Sequence, residues 1–553
     1  MENQKLLLYV ALSFVLLLLW QDWQQDYGPK SNASVDQVVQ PANGAAQQPP
    51  SAPTIGASAG GDVPRPNVTQ QPTPVVPNQP QLQSALRVHV VTDLLNVDID
   101  ALGGDIRQAE LRGYPIDVNQ PDQSFRLLTD NAAQFFIAQG GLLGNAAPTH
   151  YSLYKAEQTD YRLPDGASEL RVPLTWSDSS GVEVTKVFIF HRDSYIVQIE
   201  YQVHNATTAE WQGQLYAQFQ RTEPPNQSSA FSIYTYTGAV VSSPENTYEK
   251  VDFSRMRKES LSRDLKNGWL AMIQHYFAAA WIPAKDVPIH AYTKVVGDHY
   301  VLGYMGPTVG VPVGESKTIS TDIYVGPKVQ KRLKEAAPNL ELIVDYGKLT
   351  FIAQPIYWLL ELIQSMVHNW GWSIIFLTML IKAGFFHLSA TSYKSMAQMR
   401  NMAPRIQALK DRYGDDRERL NKEMMEIYRK EKVNPLSGCL PIVVQIPVFI
   451  ALYWVLMESV ELRQAPWILW IHDLSAQDPY YVLPLIMGVT MFVQQKLSPA
   501  PPDPIQAKVM MVMPLFFTGM FLFFPSGLVL YWVVNNTLSI TQQWYITNKL
   551  VKS

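Results

Sequence analysis

The chain has 553 residues, 47% of them hydrophobic, a formal net charge of −4 and a single cysteine. That length exceeds one domain and supports several cores, and so small a charge excludes a dedicated nucleic-acid binder, DNA included. Cys439 alone excludes an intramolecular disulfide and any multi-cysteine metal site, so an exported domain here folds on its hydrophobic core.

Residues 1–26 form the first element. Lys5 precedes an uncharged apolar run over 6–20, and no small-x-small cleavage site lies within 21–26, which predicts an uncleaved signal-anchor helix with its N-terminus in the cytoplasm. Residues 27–84 are rich in Pro, Gln, Ala and Ser, with doublets such as Pro49-Pro50. This composition buries too little apolar surface to offset chain ordering, so a disordered tether is expected.

Over 85–340 the pattern changes to short alternating segments, clearest at 87–91, 170–176, 182–191, 195–203, 214–220, 299–304 and 316–324. Alternation with β-branched and aromatic residues predicts antiparallel strands in a sandwich. Helical periodicity appears only at 329–337. The aromatics Trp176, Trp211, Tyr234, Tyr236, Trp269 and Trp281 admit two readings, a sugar cleft or a packed core. No paired carboxylates, HExxH, GxSxG or glycine-rich phosphate loop occurs in this region. A binding or spacing domain is expected rather than an enzyme, with no cofactor and no metal.

Residues 345–368 place apolar side chains at helical spacing with Gln354, Glu361 and Gln364 between them, as in an amphipathic helix lying in a membrane interface. Five apolar runs follow, at 370–388, 440–457, 481–495, 509–524 and 528–546, which with the anchor predict six transmembrane helices. The last two meet at Phe524-Pro-Ser-Gly527, read as a tight helical hairpin. Residues 389–434 hold eleven Lys or Arg, whereas 458–478 hold only Arg463. The first loop is therefore expected in the cytoplasm and the second outside, with both termini cytoplasmic. The core is thus drawn at 369–550, with a cytoplasmic helical hairpin at 391–434 inside it.

That hairpin has apolar positions at helical spacing on both sides of Gly414-Asp-Asp416, and Arg400, Arg405, Arg412, Arg417 and Arg419 on its faces. It reads either as a solvated topology signal or as a platform for anionic lipid, ribosomal RNA or a nascent apolar segment.

Lys382 interrupts the run 370–388, and none of the five runs contains an acidic residue. A cation within a span is costly, by about 3 kcal/mol on insertion scales. It lies roughly 10 to 18 Å along the helix from the polar residues 389–394 at about 1.5 Å per residue. Two readings follow, a snorkelling lysine and a lysine facing a water-filled cavity. Thr378 shares its face one turn earlier. Gln445, Thr490, Gln494, Asn535, Asn536 and Thr537 add polar groups on other spans, with Tyr531 and Trp532 a turn before Asn535. An ion-coupled transporter needs buried acids and commonly repeated halves, and this chain has neither. A non-enzymatic insertion device needs a hydrated groove, a cation and short spans.

The segments Lys432-Val-Asn-Pro-Leu-Ser-Gly-Cys-Leu-Pro441, Val460-Glu-Leu-Arg-Gln-Ala-Pro466, Trp470-Ile-His-Asp-Leu-Ser-Ala-Gln-Asp-Pro-Tyr480 and Phe524-Pro-Ser-Gly-Leu-Val-Leu-Tyr531 resemble the Oxa/Alb/YidC family of membrane protein insertases over essentially the whole chain. The resemblance implies an inner-membrane insertase and chaperone with a periplasmic β-supersandwich, acting on nascent membrane proteins alone or with the Sec translocon, SecYEG and SecDF. From its basic faces, the cytoplasmic hairpin is expected to contact the ribosome or targeting factors. The family's groove cation falls on Lys382, its groove threonine on Thr378 and its aromatic pair on Tyr531 and Trp532, with Gln445 and Asn535 beside them. The family pattern has arginine and two tyrosines at the cation and aromatic positions. Lysine keeps the charge but lacks the planar fork.

Overall fold

The structure, a computed structural model, describes Pro64 and residues 84–224, 235–413, 416–431, 440–497 and 504–547. The expected anchor at 1–26, and the tether at 27–84 except Pro64 and Ser84, lie outside the described residues.

Two large sheets, of ten and nine strands, stack face to face. Alternation explains most of their strands. In Ile196–Asn205 every second residue, Val197, Ile199, Tyr201, Val203 and Asn205, is buried, as a pleated strand with one face on a core requires. It pairs antiparallel with Val182–His191 on one side and Ser316–Pro327 on the other. Among the described residues the one parallel pairing joins Arg87–Val91 to Asp160–Arg162. Trp176 and Tyr236 pack partly buried against the core formed between the sheets, and Trp211, Trp269 and Trp281 are buried in it.

Ten helices follow the strands or interrupt them among the described residues. A short α1, Phe253–Lys258, lies within the sandwich region, and α2, Gln330–Ala336, leaves it. The remainder are α3 (Thr350–Val367), α4 (Trp370–Gly384), α5 (Phe386–Tyr413), α6 (Arg417–Lys430), α7 (Leu440–Glu458), α8 (Val482–Leu497), α9 (Pro504–Phe521) and α10 (Ser526–Tyr545). On α3, Ala353, Ile356, Tyr357, Leu360 and Ile363 are buried while Phe351, Trp358 and Met366 are exposed. This helix packs on α4 and α7.

Two expectations are corrected. The apolar run 370–388 is not one helix: α4 stops at Gly384 and α5 starts at Phe386, with the axes bent by 67°. Among the described residues no single helix is long and apolar enough to cross a membrane, and this bent pair passes only when taken together. Nor do the last two apolar helices form a closed hairpin. Each packs along α8, and they diverge from one another beyond the turn at Phe524-Pro525. Gly488 on α8 allows the α9 approach, because a Cβ there would meet the Thr518 hydroxyl.

The sandwich is joined to the helices by a set of buried polar contacts. Lys328, just past the last strand, reaches Glu458 at the end of α7, with Nζ 2.8 Å from Oε2 and both side chains under 5% exposed. Lys328 Nζ also donates to Ile343 O at 3.3 Å, and His275 Nε2 lies 2.9 Å from Met457 O. In the 3-10 turn Val460–Leu462, Glu461 Oε1 accepts from the Tyr357 hydroxyl of α3 at 2.7 Å. Burial pushes the Glu461 carboxyl up to about 7, against the lowering effect of the Tyr357 hydrogen bond.

Candidate functional site

A cavity of about 440 Å³ lies among α4, α5, α7, α8, α9 and α10. α4 contributes Lys382, α5 contributes Ser389, Ser392, Tyr393 and Met396, and α7 contributes Gln445, Ile446 and Phe449. α8 adds Met491, Gln494 and Gln495, α9 adds Met510, Met513, Pro514 and Phe517, and α10 adds Tyr531, Trp532, Asn535, Asn536, Ser539 and Gln543.

The α10 stripe follows from helical spacing, since 532, 535, 536, 539 and 543 recur at three or four residues and share one face. Lys382 stands in the last turn of α4. Its Nζ donates to Ser539 Oγ at 2.7 Å, and Ser539 Oγ donates to its own helix at Asn535 O, 2.7 Å away. Tyr393 shares the lining with this pair. Gln445 Nε2 donates to Asn535 Oδ1 at 3.2 Å, which ties α7 to α10. Asn536 Nδ2 donates to Thr490 Oγ1 at 3.3 Å, which ties α10 to α8.

Aromatic rings close one wall. Phe449 stacks on Tyr531 with centroids 6.0 Å apart and meets Trp532 edge-on at 4.9 Å, while Phe521 meets Trp532 at 5.8 Å. Two buried polar atoms on this lining, Trp532 Nε1 and Gln495 Oε1, have no hydrogen-bond partner among the described residues. Such orphans cost free energy unless a guest or water satisfies them.

Lys382 is the one charged side chain among the described residues that line the cavity. The site therefore presents a cation and polar groups beside four methionines, whose flexible thioethers adapt to varied apolar shapes. The arrangement can hold a segment with polar or acidic groups on one side and apolar ones on the other.

Five of the expected residues, Lys382, Gln445, Tyr531, Trp532 and Asn535, are brought together here. Thr378 is elsewhere: it is 1% exposed, and its hydroxyl donates to Ile374 O of its own helix at 2.6 Å. Sequence reasoning missed Ser539, the neutral partner of Lys382, and Tyr393 on the same lining. For Ser539 the available signal was the polar stripe on α10. The methionines of three helices carried no signal singly.

At the α5–α6 pair, Met402 and Ile406 pack against Met424, with Met399, Ile427 and Tyr428 around them. Arg405 Nη1 lies 2.8 Å from Glu431 Oε1, and the Arg412 and Arg419 guanidinium groups lie over the Tyr413 ring at 5.5 and 5.7 Å. The side chains of Arg400 and Arg417 lie outside the described residues.

Comparison with known proteins decides the family. A profile described as the YidC periplasmic domain matches residues 87–359, and one described as 60Kd inner membrane protein matches 362–553. The membrane protein insertase YidC of Methylococcus capsulatus is 51% identical over 559 residues, covering 100% of this chain and 99% of the relative. The chain belongs to the YidC family of membrane protein insertases. The relative from Nitrosococcus oceani is 49% identical over 554 residues, covering 100% of this chain and 99% of its own. A crystal structure of an active YidC insertase with its first transmembrane domain resolved is 18% identical, covers 84% of this chain and 93% of that chain, and has a TM-score of 0.40. The family is one of inner-membrane insertases, not enzymes, and its periplasmic part corresponds to the two-sheet region described above.

Proposed function

We propose that the chain inserts and folds integral inner-membrane proteins through the cavity at Lys382, without nucleotide or cofactor. The carrying observation is one half-buried cation, held by a serine and facing no acid on a lining that six helices share. A nascent chain's polar translocated segment lies near Lys382, Gln445 and Asn535. Its apolar helix leaves past the methionine and aromatic wall into lipid, driven by burial at about 25 cal/mol per Å². Thr378 supports this through the packing of α4.

Short helices support the same reading. The 15 residues of α4 and 16 of α8 span about 22 and 24 Å at 1.5 Å per residue, against about 30 Å of hydrocarbon. Local thinning of the bilayer lowers the barrier for polar segments.

The topology proposed with this function has six spans counting 1–26, the tether 27–84, the periplasmic domain 85–340, the interfacial helix 345–368 and the core 369–550. Both termini and the hairpin 391–434 face the cytoplasm. That hairpin, with Arg400, Arg405, Arg412, Arg417 and Arg419, is the proposed contact for the ribosome, targeting factors or anionic lipid. SecYEG and SecDF are the proposed partners in the membrane.

Photocrosslinking groups placed at 382, 445 and 532, tested against a stalled nascent membrane protein, give the decisive experiment. Crosslinks at all three positions support the route, and crosslinks confined to the sandwich refute it.

A further inference from the structure

The strands Asp105–Asp117 and Gln120–Leu128 pair antiparallel, buried at their bases and exposed where they meet. Asn119 N donates to Asp117 Oδ1 at 2.8 Å, a turn that leaves Val118 at the tip. Ile116 is 52% exposed and Val118 43% exposed. Scattered apolar residues on a surface need no explanation; the position of these two does.

The tip is held at the outer end of the helical region. Arg463 Nη2 donates to Pro115 O at 2.6 Å and to Ile116 O at 3.1 Å, and Gln464 Nε2 donates to Pro115 O at 3.0 Å. Arg463 follows the end of α7 at Glu458 by five positions, and its guanidinium lies 6.0 Å from the Phe125 ring and 5.6 Å from the Phe277 ring. The same connection carries Trp467 against Gly371 and Trp372 in the first turn of α4. It also exposes Leu469 and Tyr480. Tyr and Trp concentrated where apolar helices end mark a membrane interface.

We propose that the β-hairpin tip at Ile116 and Val118 inserts into the outer-leaflet lipid interface, giving the sandwich its own lipid contact beside α3. This rests on the reading that the apolar helices span the membrane. The tip carries Asp117 and Asp122, so its attraction to lipid is apolar rather than electrostatic. Continuity with the ends of α4 and α7 selects lipid over a protein partner as the occupant.

The test uses the full chain with Cys439→Ser and a single labelled cysteine, reconstituted one copy per phosphatidylcholine and phosphatidylglycerol nanodisc. An environment-sensitive nitrobenzoxadiazole label at Val118→Cys is compared with one at Ser180→Cys. Ser180 precedes the ten-residue strand Val182–His191, about 33 Å long, whose other end leads to Asp193, held by Arg332 of α2. The expected result is blue-shifted emission at 118 that is quenched by lipid carrying a shallow doxyl group, with water-like emission at 180. Water-like emission at 118, or a blue shift that lipid quencher leaves untouched, overturns the inference, the second result signifying a protein contact. A label at Leu515→Cys, exposed on α9, separates the two failures. Quenching at 515 without quenching at 118 refutes the hairpin contact alone, and no quenching at either site refutes the spanning reading with it.

Discussion

Lys328 Nζ and Glu458 Oε2 lie 2.8 Å apart with both side chains buried, across 130 residues of sequence. The pair joins the end of the sandwich to the end of α7. Removing one partner leaves a buried, uncompensated charge, which costs about 3–5 kcal/mol, whereas apolar replacement of both is close to neutral. Lys328→Met and Glu458→Leu are therefore each expected to lower the unfolding midpoint of the detergent-solubilised chain, and the double variant to recover most of the loss. A double variant whose loss is the sum of the two single losses would show that the pair is not coupled.

Glu461 gives the same junction a pH dependence. Its carboxyl is held at about 7 by burial, against an ordinary 4.5, with Glu361 adding to the rise. Between these values the folded chain keeps a proton that the unfolded chain has lost, so stability is greatest below about 4.5 and falls as pH rises toward 7. The slope is at most about 1.4 kcal/mol per pH unit. Glu461→Gln is expected to flatten the profile of unfolding midpoint against pH over that window, and an unchanged profile would assign the titration elsewhere.

Lys382 and Thr378 are expected to separate. Lys382→Arg retains insertion, because the charge and a donor to Ser539 remain. Lys382→Ala loses a charge-assisted hydrogen bond of about 1.5–3 kcal/mol, or roughly tenfold and more in the rate for substrates with acidic translocated tails. Thr378→Val keeps the shape and gives up a bond within its own helix, so insertion is expected to stay near wild type while stability drops by about 1 kcal/mol. Protease protection of a translocated tail in vesicles reads the first effect and thermal unfolding the second.

The α5–α6 pair depends on few side chains. Met424 is 3% exposed against Met402 and Ile406, so Met424→Ser is expected to cost about 2 kcal/mol or more and to abolish amide-exchange protection along α6. Arg405→Ala breaks an exposed ion pair with Glu431, costs less than about 1 kcal/mol and leaves protection in place.

Strands with one face on the core could be read from sequence, because burial of one face writes a period of two. Val182–His191 is predicted at its observed ends. Phe136–Gly144, Trp269–Gln274 and Phe277–Pro283 could not, since nearly every residue in them is buried and several are Gly or Ala, which removes both alternation and β propensity. Lys382 was visible as a charge in an apolar run. Its partner Ser539 lies 157 residues away, and such pairings leave no local mark. The break at Phe385 was hidden for a similar reason: Gly384 is compatible with a bend, but the 67° angle and the packing of α4 on α3 and α10 involve residues distant in sequence.

That break has an electrostatic consequence. Because α4 stops at Gly384, Lys382 occupies the final turn of a helix, where aligned peptide dipoles favour a cation. The backbone itself thus supplies part of the counter-charge that no side chain on the cavity lining provides. A resident carboxylate would neutralise the lysine and compete with an incoming one. A helix terminus steadies the ammonium group while leaving its charge available to a passing chain.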